Sequence, residues 1–251
     1  MKLLATLTFL STATTSTSFN LGRGLVSRNS NFGNLTTRPY SRSTRLNLFE
    51  NIFGSPPSQE IVYSNLKYPA NEMAEAALAG LVPSLSSKEN LQIATFAGGC
   101  FWGLELAYQR LPGVLHTAVG YTQGPVLSPT YKAVCSGGTG HTEAIQVYYD
   151  DTCTYTDLLD VFFNRVDITT VNGQGNDRGT QYRTGIYPHT TEQIEEARER
   201  MEREGEKVKR VATEIKEAEV FWPAEGYHQQ YLEKGGQNAE KNAKDVIRCY
   251  G

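Results

Sequence analysis

The sequence predicts an α+β fold: a two-layer sandwich of helices on a mixed sheet, with a C-terminal extension. Three observations predict it. Apolar residues alternate in several short segments, as in half-buried strands, and recur at helical spacing in others. Gly- and Pro-rich turns separate these segments. The segments run in the order β-α-β-β-α-β, followed by α-β-α.

Residues 91–97 read as the first strand, closed by Gly98-Gly99. Residues 100–110 place Phe101, Leu104, Ala107, Tyr108 and Leu111 at helical spacing and stop at Pro112-Gly113. Residues 114–121 are strand-like and run into a Gly/Pro loop. Residues 142–149 alternate, with Ile145, Val147 and Tyr149 on one face. Residues 155–165 are helical, and a polar loop over 172–179 leads to a strand at 180–187. Thr190-Thr191-Glu192-Gln193 reads as a capping box for a charged helix reaching about residue 209. A last strand is expected over 213–220 and a short helix over 227–234. The first six elements match the split β-α-β, ferredoxin-like arrangement.

Residues 1–49 contain no Asp or Glu and hold six of the chain's 24 Lys and Arg. The remaining 18 basic residues face 27 acidic ones, a charge of −9. A body this acidic argues against nucleic acid as a partner, because phosphate contacts need clustered Lys and Arg. No apolar run approaches the ~20 residues of a membrane span, so no membrane partner is expected. Residues 1–13 suit the apolar region of a signal peptide, and residues 18–45 are Ser-, Thr-, Asn- and Arg-rich like a transit peptide. In tandem they resemble the bipartite leaders of plastid proteins in algae with secondary plastids. The alternative is a single chloroplast or mitochondrial presequence. Residues 1–49 are therefore expected to be a removable organelle-targeting leader, plastid ahead of mitochondrion. Residues 50–90, broken by Ser55-Pro56-Pro57-Ser58 and holding one Ala-rich helix over 71–81, are expected to be a linker. The functional domain is 91–251, with a mobile tail over 235–251.

Four cysteines (100, 135, 153 and 249) form no Cys-x-x-Cys pair, and the four His are scattered. That pattern argues against a structural zinc site or a disulfide-stapled scaffold and leaves thiol chemistry open. Cys100 follows two glycines at the start of a helix, where free N–H groups favour an anion. A lowered thiol pKa is therefore expected. Phe101 and Trp102 beside it suit a pocket for a small apolar group, or simply a core.

Gly99-Cys100-Phe101-Trp102-Gly103 resembles the active-site motif of peptide-methionine (S)-S-oxide reductases, the A-type methionine sulfoxide reductases, in their plant and algal organelle form. Further stretches match that family in order. They are Gly120-Tyr121-Thr122, Pro129-Thr130-Tyr131 with Val134-Cys135-Ser136-Gly137, residues 139–144, residues 175–183, and His228-Gln229-Gln230-Tyr231-Leu232. The resemblance implies reduction of the S epimer of methionine sulfoxide, protein-bound or free. It makes Cys100 the nucleophile, which passes through a sulfenic acid, and Glu143 the proton donor. Burial must raise the Glu143 carboxyl for that task. Tyr131 and Tyr182 would hold the sulfoxide oxygen, Asp177 would order the site, and Phe101 and Trp102 would receive the methyl group. No cofactor is implied. Thioredoxin is the external reductant, oxidised proteins or peptides are the substrates, and a monomer is the family default. A peroxide-reducing or peroxide-sensing thiol protein, a Cys-His hydrolase using His141, and a non-catalytic binding domain are the rival readings.

The tail ends Ile247-Arg248-Cys249-Tyr250-Gly251 and resembles that of plant-type members. Those members carry a second Cys where this chain has Gly236. With Cys135 and Cys153 expected inside the core, the resemblance implies Cys249 as the resolving thiol, through a direct disulfide to Cys100.

Overall fold

The structure, a computed structural model, describes residues 61–249. The leader 1–49, the first part of the linker and the last two residues lie outside the described residues. In chain order the elements are α1 (Ala70–Leu78), β1 (Gln92–Gly98), α2 (Phe101–Gln109), β2 (Val114–Thr122), α3 (Tyr131–Cys135), β3 (Thr142–Tyr149) and α4 (Tyr155–Arg165). They continue with β4 (Gly173–Gln174), β5 (Asp177–Arg178), β6 (Thr184–Tyr187), α5 (Thr191–Gly205), β7 (Glu214–Ile215), β8 (Trp222–Pro223) and α6 (Tyr231–Lys234).

Six strands form one mixed sheet in the order β7-β6-β1-β3-β2-β8. All pairs are antiparallel except β6 with β7. β3 lies between β1 and β2, and all eight of its residues are buried. Ile145, Val147 and Tyr149 meet Phe96, Leu104, Tyr108, Leu158 and Phe162 on the face that carries α2 and α4. Ala144 and Tyr148 point the other way, into a second cluster with Ile93, Ala118, Leu66, Met73 and Phe221.

That second cluster corrects the expected linker. Residues 61–90 pack against the sheet: Leu66, Ala70 and Met73 are core residues. The physical reason lies in β1 and β3, whose reverse face is also apolar and must be covered. Other boundaries move for local reasons. The strand expected from residue 180 begins at Thr184, because residues 180–182 form a 3-10 turn capped by Arg183 Nη1 donating to Thr180 O (3.1 Å). The strand expected over 213–220 is paired only at Glu214–Ile215. Thr190 caps α5 as expected, but Gln193 reaches back to His189 N–H (2.8 Å) and not to Thr190. The reciprocal capping box is instead at Thr154 and Asp157, opening α4. The polar loop 172–179 contains the small hairpin β4-β5.

Candidate active site

The end of β1 turns into α2 at Gly99, whose φ of +79° suits glycine. A Cβ there would lie 2.5 Å from Gln174 Cβ, so the hairpin loop closes directly over the turn. Cys100 caps α2 and is half-buried. The Trp102 N–H favours its thiolate, as expected of a helix start. Burial and the nearby Glu143 carboxyl act more strongly and push the thiol up. The expectation of a lowered Cys100 pKa is therefore corrected: desolvation outweighs one turn of helix N–H groups.

Glu143 is the second residue of β3, opposite Tyr121 on β2, and is 2% exposed. Its Oε2 accepts the Phe101 N–H at 3.2 Å. Burial pushes its pKa up to about 8, aided by the charge of Asp177. The carboxyl is thus largely protonated at neutral pH. Tyr131 opens α3, held by Thr130, whose hydroxyl accepts the Ala133 N–H. Its own N–H is donated to Glu225 Oε1 at 2.8 Å. Tyr182 sits in the 3-10 turn after β5. Burial pushes both phenols up, and each feels the charges of Glu143 and Cys135. Both stay neutral O–H donors. Asp177, on β5, is close enough to raise Cys100, Glu143 and Tyr182. The structure thus brings Cys100, Glu143, Tyr131, Tyr182 and Asp177 into one cluster.

Phe101 is fully buried with Val119, Tyr121, Val134 and Ala224, and Trp102 packs beside it with ring centroids 6.2 Å apart. Trp102 stacks on Tyr231 at 4.0 Å. His228 completes this aromatic group, 4.5 Å from Tyr131 and 5.3 Å from Phe101. Burial pushes the His228 imidazole down to about 4, so it is neutral. His228, Tyr231 and Glu225 were not singled out as site residues from sequence. The sequence expects His228 to be structural or to support the site, and carries Tyr231 within the motif 228–232 without a role.

Cys153 is buried, and burial pushes its thiol up to about 12. Cys135 differs from expectation: it is half-buried beside the Tyr131 hydroxyl, because Val134 is the only fully buried residue of the single-turn α3. His141 Nε2 lies 2.8 Å from Val126 O, which gives it a structural partner in place of a thiol. The tail, expected to be mobile, makes hydrogen bonds through backbone carbonyls that composition does not report. Arg110, Lys241 and Asn242 join it to α2 and β2, and Cys249 is half-buried beside Arg165.

A half-buried thiol, a neutral carboxyl and two neutral phenols against an aromatic wall define a thiol oxidoreductase site that can protonate an oxygen as it leaves. A sequence model of the family described as "Peptide methionine sulfoxide reductase" matches residues 92–248, and the chain belongs to this family. Its reaction is the reduction of methionine sulfoxide. The chain is 57% identical over 165 residues to peptide methionine sulfoxide reductase A2-1 of Oryza sativa subsp. japonica, covering 65% of this chain and 88% of that one. It is 47% identical over 230 residues to the enzyme named A4, chloroplastic, of Arabidopsis thaliana, covering 88% and 85%. Among solved structures, methionine sulfoxide reductase A of Corynebacterium diphtheriae matches with a TM-score of 0.56 and 31% identity, over 68% of this chain and 92% of that one.

Proposed function

We propose that this chain reduces the S epimer of protein-bound methionine sulfoxide, with Cys100 as nucleophile and Glu143 as proton donor. The observation that carries the reading is the buried Glu143 carboxyl, at about 8, within the cluster of Cys100 and the two phenols. The Cys100 sulfur bonds to the sulfoxide sulfur; the oxygen then bonds to the Cys100 sulfur as its bond to the substrate sulfur and the sulfur–sulfur bond break. Glu143 gives a proton to the oxygen and regains one from the Cys100 thiol. Methionine leaves, and the oxygen remains on Cys100 as a sulfenic acid. Tyr131 and Tyr182 donate hydrogen bonds to that oxygen, Asp177 holds the loop beside them, and the methyl group lies on Phe101 and Trp102. Exchanging the epimer would turn the polar oxygen onto the aromatic wall and away from the two phenols.

Cys249 then attacks the sulfenic acid, and thioredoxin reduces the Cys100–Cys249 disulfide. The strand order β6-β1-β3-β2 of the four central strands supports a ferredoxin-like core. Residues 1–49 are a removable leader, and the domain begins near residue 61 with the segment that covers the sheet. The chloroplastic names of relatives from Arabidopsis thaliana and Oryza sativa support a plastid as destination. The enzyme works as a monomer without a cofactor.

The test is turnover of separated S and R epimers of peptide methionine sulfoxide by the full chain with thioredoxin. The S epimer is expected to be reduced and the R epimer left intact. Equal rates on both would sink the assignment of the aromatic wall.

A further inference from the structure

Cys249 is carried by neither helix nor strand, yet its sulfur has a defined seat. It rests over the Cα of Gly103, three residues along α2 from Cys100. A Cβ at residue 103 would collide with Cys249 Sγ and lie 2.9 Å from Arg165 Nη2. The same Nη2 donates to that sulfur at 3.9 Å. Upstream, the largely buried Arg110 grips the tail twice: Nε donates to Asn238 O at 2.8 Å and Nη1 to Asp245 O at 2.6 Å. Asn242 N–H donates to Arg110 O at 2.8 Å. Gln237 closes the remaining span, donating to Arg248 O (2.6 Å) and accepting the Arg248 N–H (3.0 Å).

We propose that Arg110, Gly103 and Arg165 are positioning residues for the resolving step. Arg110 ties down the tail, and the bare Cα of Gly103 beside the Arg165 guanidinium berths the Cys249 thiol one helical turn from Cys100. The proposal rests on the reading of Cys249 as the resolving thiol. In the step served, the Cys249 sulfur bonds to the Cys100 sulfur and the S–OH bond breaks. The thiol proton leaves with hydroxide as water. Cys249 is oxidised and the Cys100 sulfenyl sulfur is reduced, the oxidising equivalent having come from the sulfoxide. An untethered tail would present its thiol at a far lower effective concentration.

Two variants test this. Gly103→Ala suits a helix by propensity, so α2 should form. Arg110→Met keeps an apolar stem in the buried space. Reduced full-length protein is mixed with one equivalent of methionine sulfoxide without reductant. Methionine release is followed, and the Cys100–Cys249 disulfide is quantified by mass mapping of quenched samples. In both variants the methionine burst should match wild type. Disulfide formation should slow by about tenfold or more, the loss expected of a removed tether, while a sulfenic-acid trap labels Cys100. Thioredoxin-driven turnover should fall in step, and a small dithiol should restore it. Disulfide formation at the wild-type rate in both variants would overturn the proposal, as would loss of the burst. Cys249→Ser separates this from the parent reading. Full-speed turnover of that variant with thioredoxin removes the resolving role itself. An inactive Cys249→Ser beside wild-type resolution in the other two removes only the berth.

Discussion

Glu105 lies within α2, and Glu143, on neighbouring β3, reaches the first N–H of that helix. They are 1% and 2% exposed, and burial pushes both up to about 8. Their partners differ. Glu105 accepts from the Thr117 hydroxyl (3.2 Å), the Gln230 N–H (2.9 Å) and Gln230 Nε2 (3.3 Å). It thereby ties α2 to β2 and to the 228–231 stretch, where Gln230 takes a left-handed conformation. Glu143 accepts the Phe101 N–H and otherwise faces a thiol and two phenols. A carboxyl surrounded by donors holds elements together. A carboxyl turned toward a nucleophile holds a proton where chemistry can use it. A raised pKa marks both, and the neighbours separate the roles.

The largest effect is expected from removing the nucleophile. Cys100→Ser should drop methionine sulfoxide reduction to background with an unchanged circular dichroism spectrum. Retained activity would move the chemistry to another thiol. Glu143→Gln comes next. It should slow the methionine burst by about 10²–10⁴-fold, the usual worth of general acid catalysis. The protonated carboxyl is the active form. The wild-type burst rate should therefore hold below about 8 and fall as pH rises through it. Glu143→Gln should lose that limb. A burst rate in Glu143→Gln equal to wild type at neutral pH would erase the distinction drawn between the two carboxyls.

Much of this contrast was legible in the sequence, and the illegible part has a physical cause. The strands 142–149 and helix 155–165 were readable to the residue, because their apolar spacing is set by the core they enter. The cluster of Cys100, Glu143, Tyr131, Tyr182 and Asp177 was readable from motifs. The raised Glu143 carboxyl was readable too, from the apolar strand that follows it, but the Cys100 shift was not, because its direction depends on how much water reaches the thiol. The contacts of the tail were illegible for a related reason. Its Gly, Asn and Lys content predicts mobility, whereas its anchors are carbonyl oxygens of Asn238 and Asp245, which any sequence supplies. Residues 61–90 were misjudged because the apolar reverse face of β3 is interrupted by Gln146 and does not alternate cleanly.

The wall beside the thiol offers a smaller effect. Tyr231 stacks on Trp102 with rings 15° from parallel. Tyr231→Leu removes an aromatic pair worth about 0.5–1.5 kcal/mol. If the pair steadies the methyl pocket, kcat/KM for a methionine sulfoxide peptide should fall by about two- to tenfold, mostly through KM. A change in kcat alone would place Tyr231 with the proton chemistry.

The smallest effect on activity belongs to Glu105. Its pKa in the folded protein lies above the roughly 4.3 of an exposed glutamate. The stability it contributes is therefore fully present below that value and lost as pH climbs through about 8. Glu143 acts with the same sign. Each adds a slope of up to about 1.4 kcal/mol per pH unit across that window. The thermal midpoint of the wild type should accordingly fall from pH 5 to 8.5. Glu105→Gln keeps a neutral group that can still bond Thr117 and Gln230, so it should flatten the fall by about half while leaving the burst rate within about twofold. Glu143→Gln should flatten the fall similarly and slow the burst by about 10²–10⁴-fold. A Glu105→Gln protein as slow as Glu143→Gln would show that the buried tie to Gln230 is part of the chemistry.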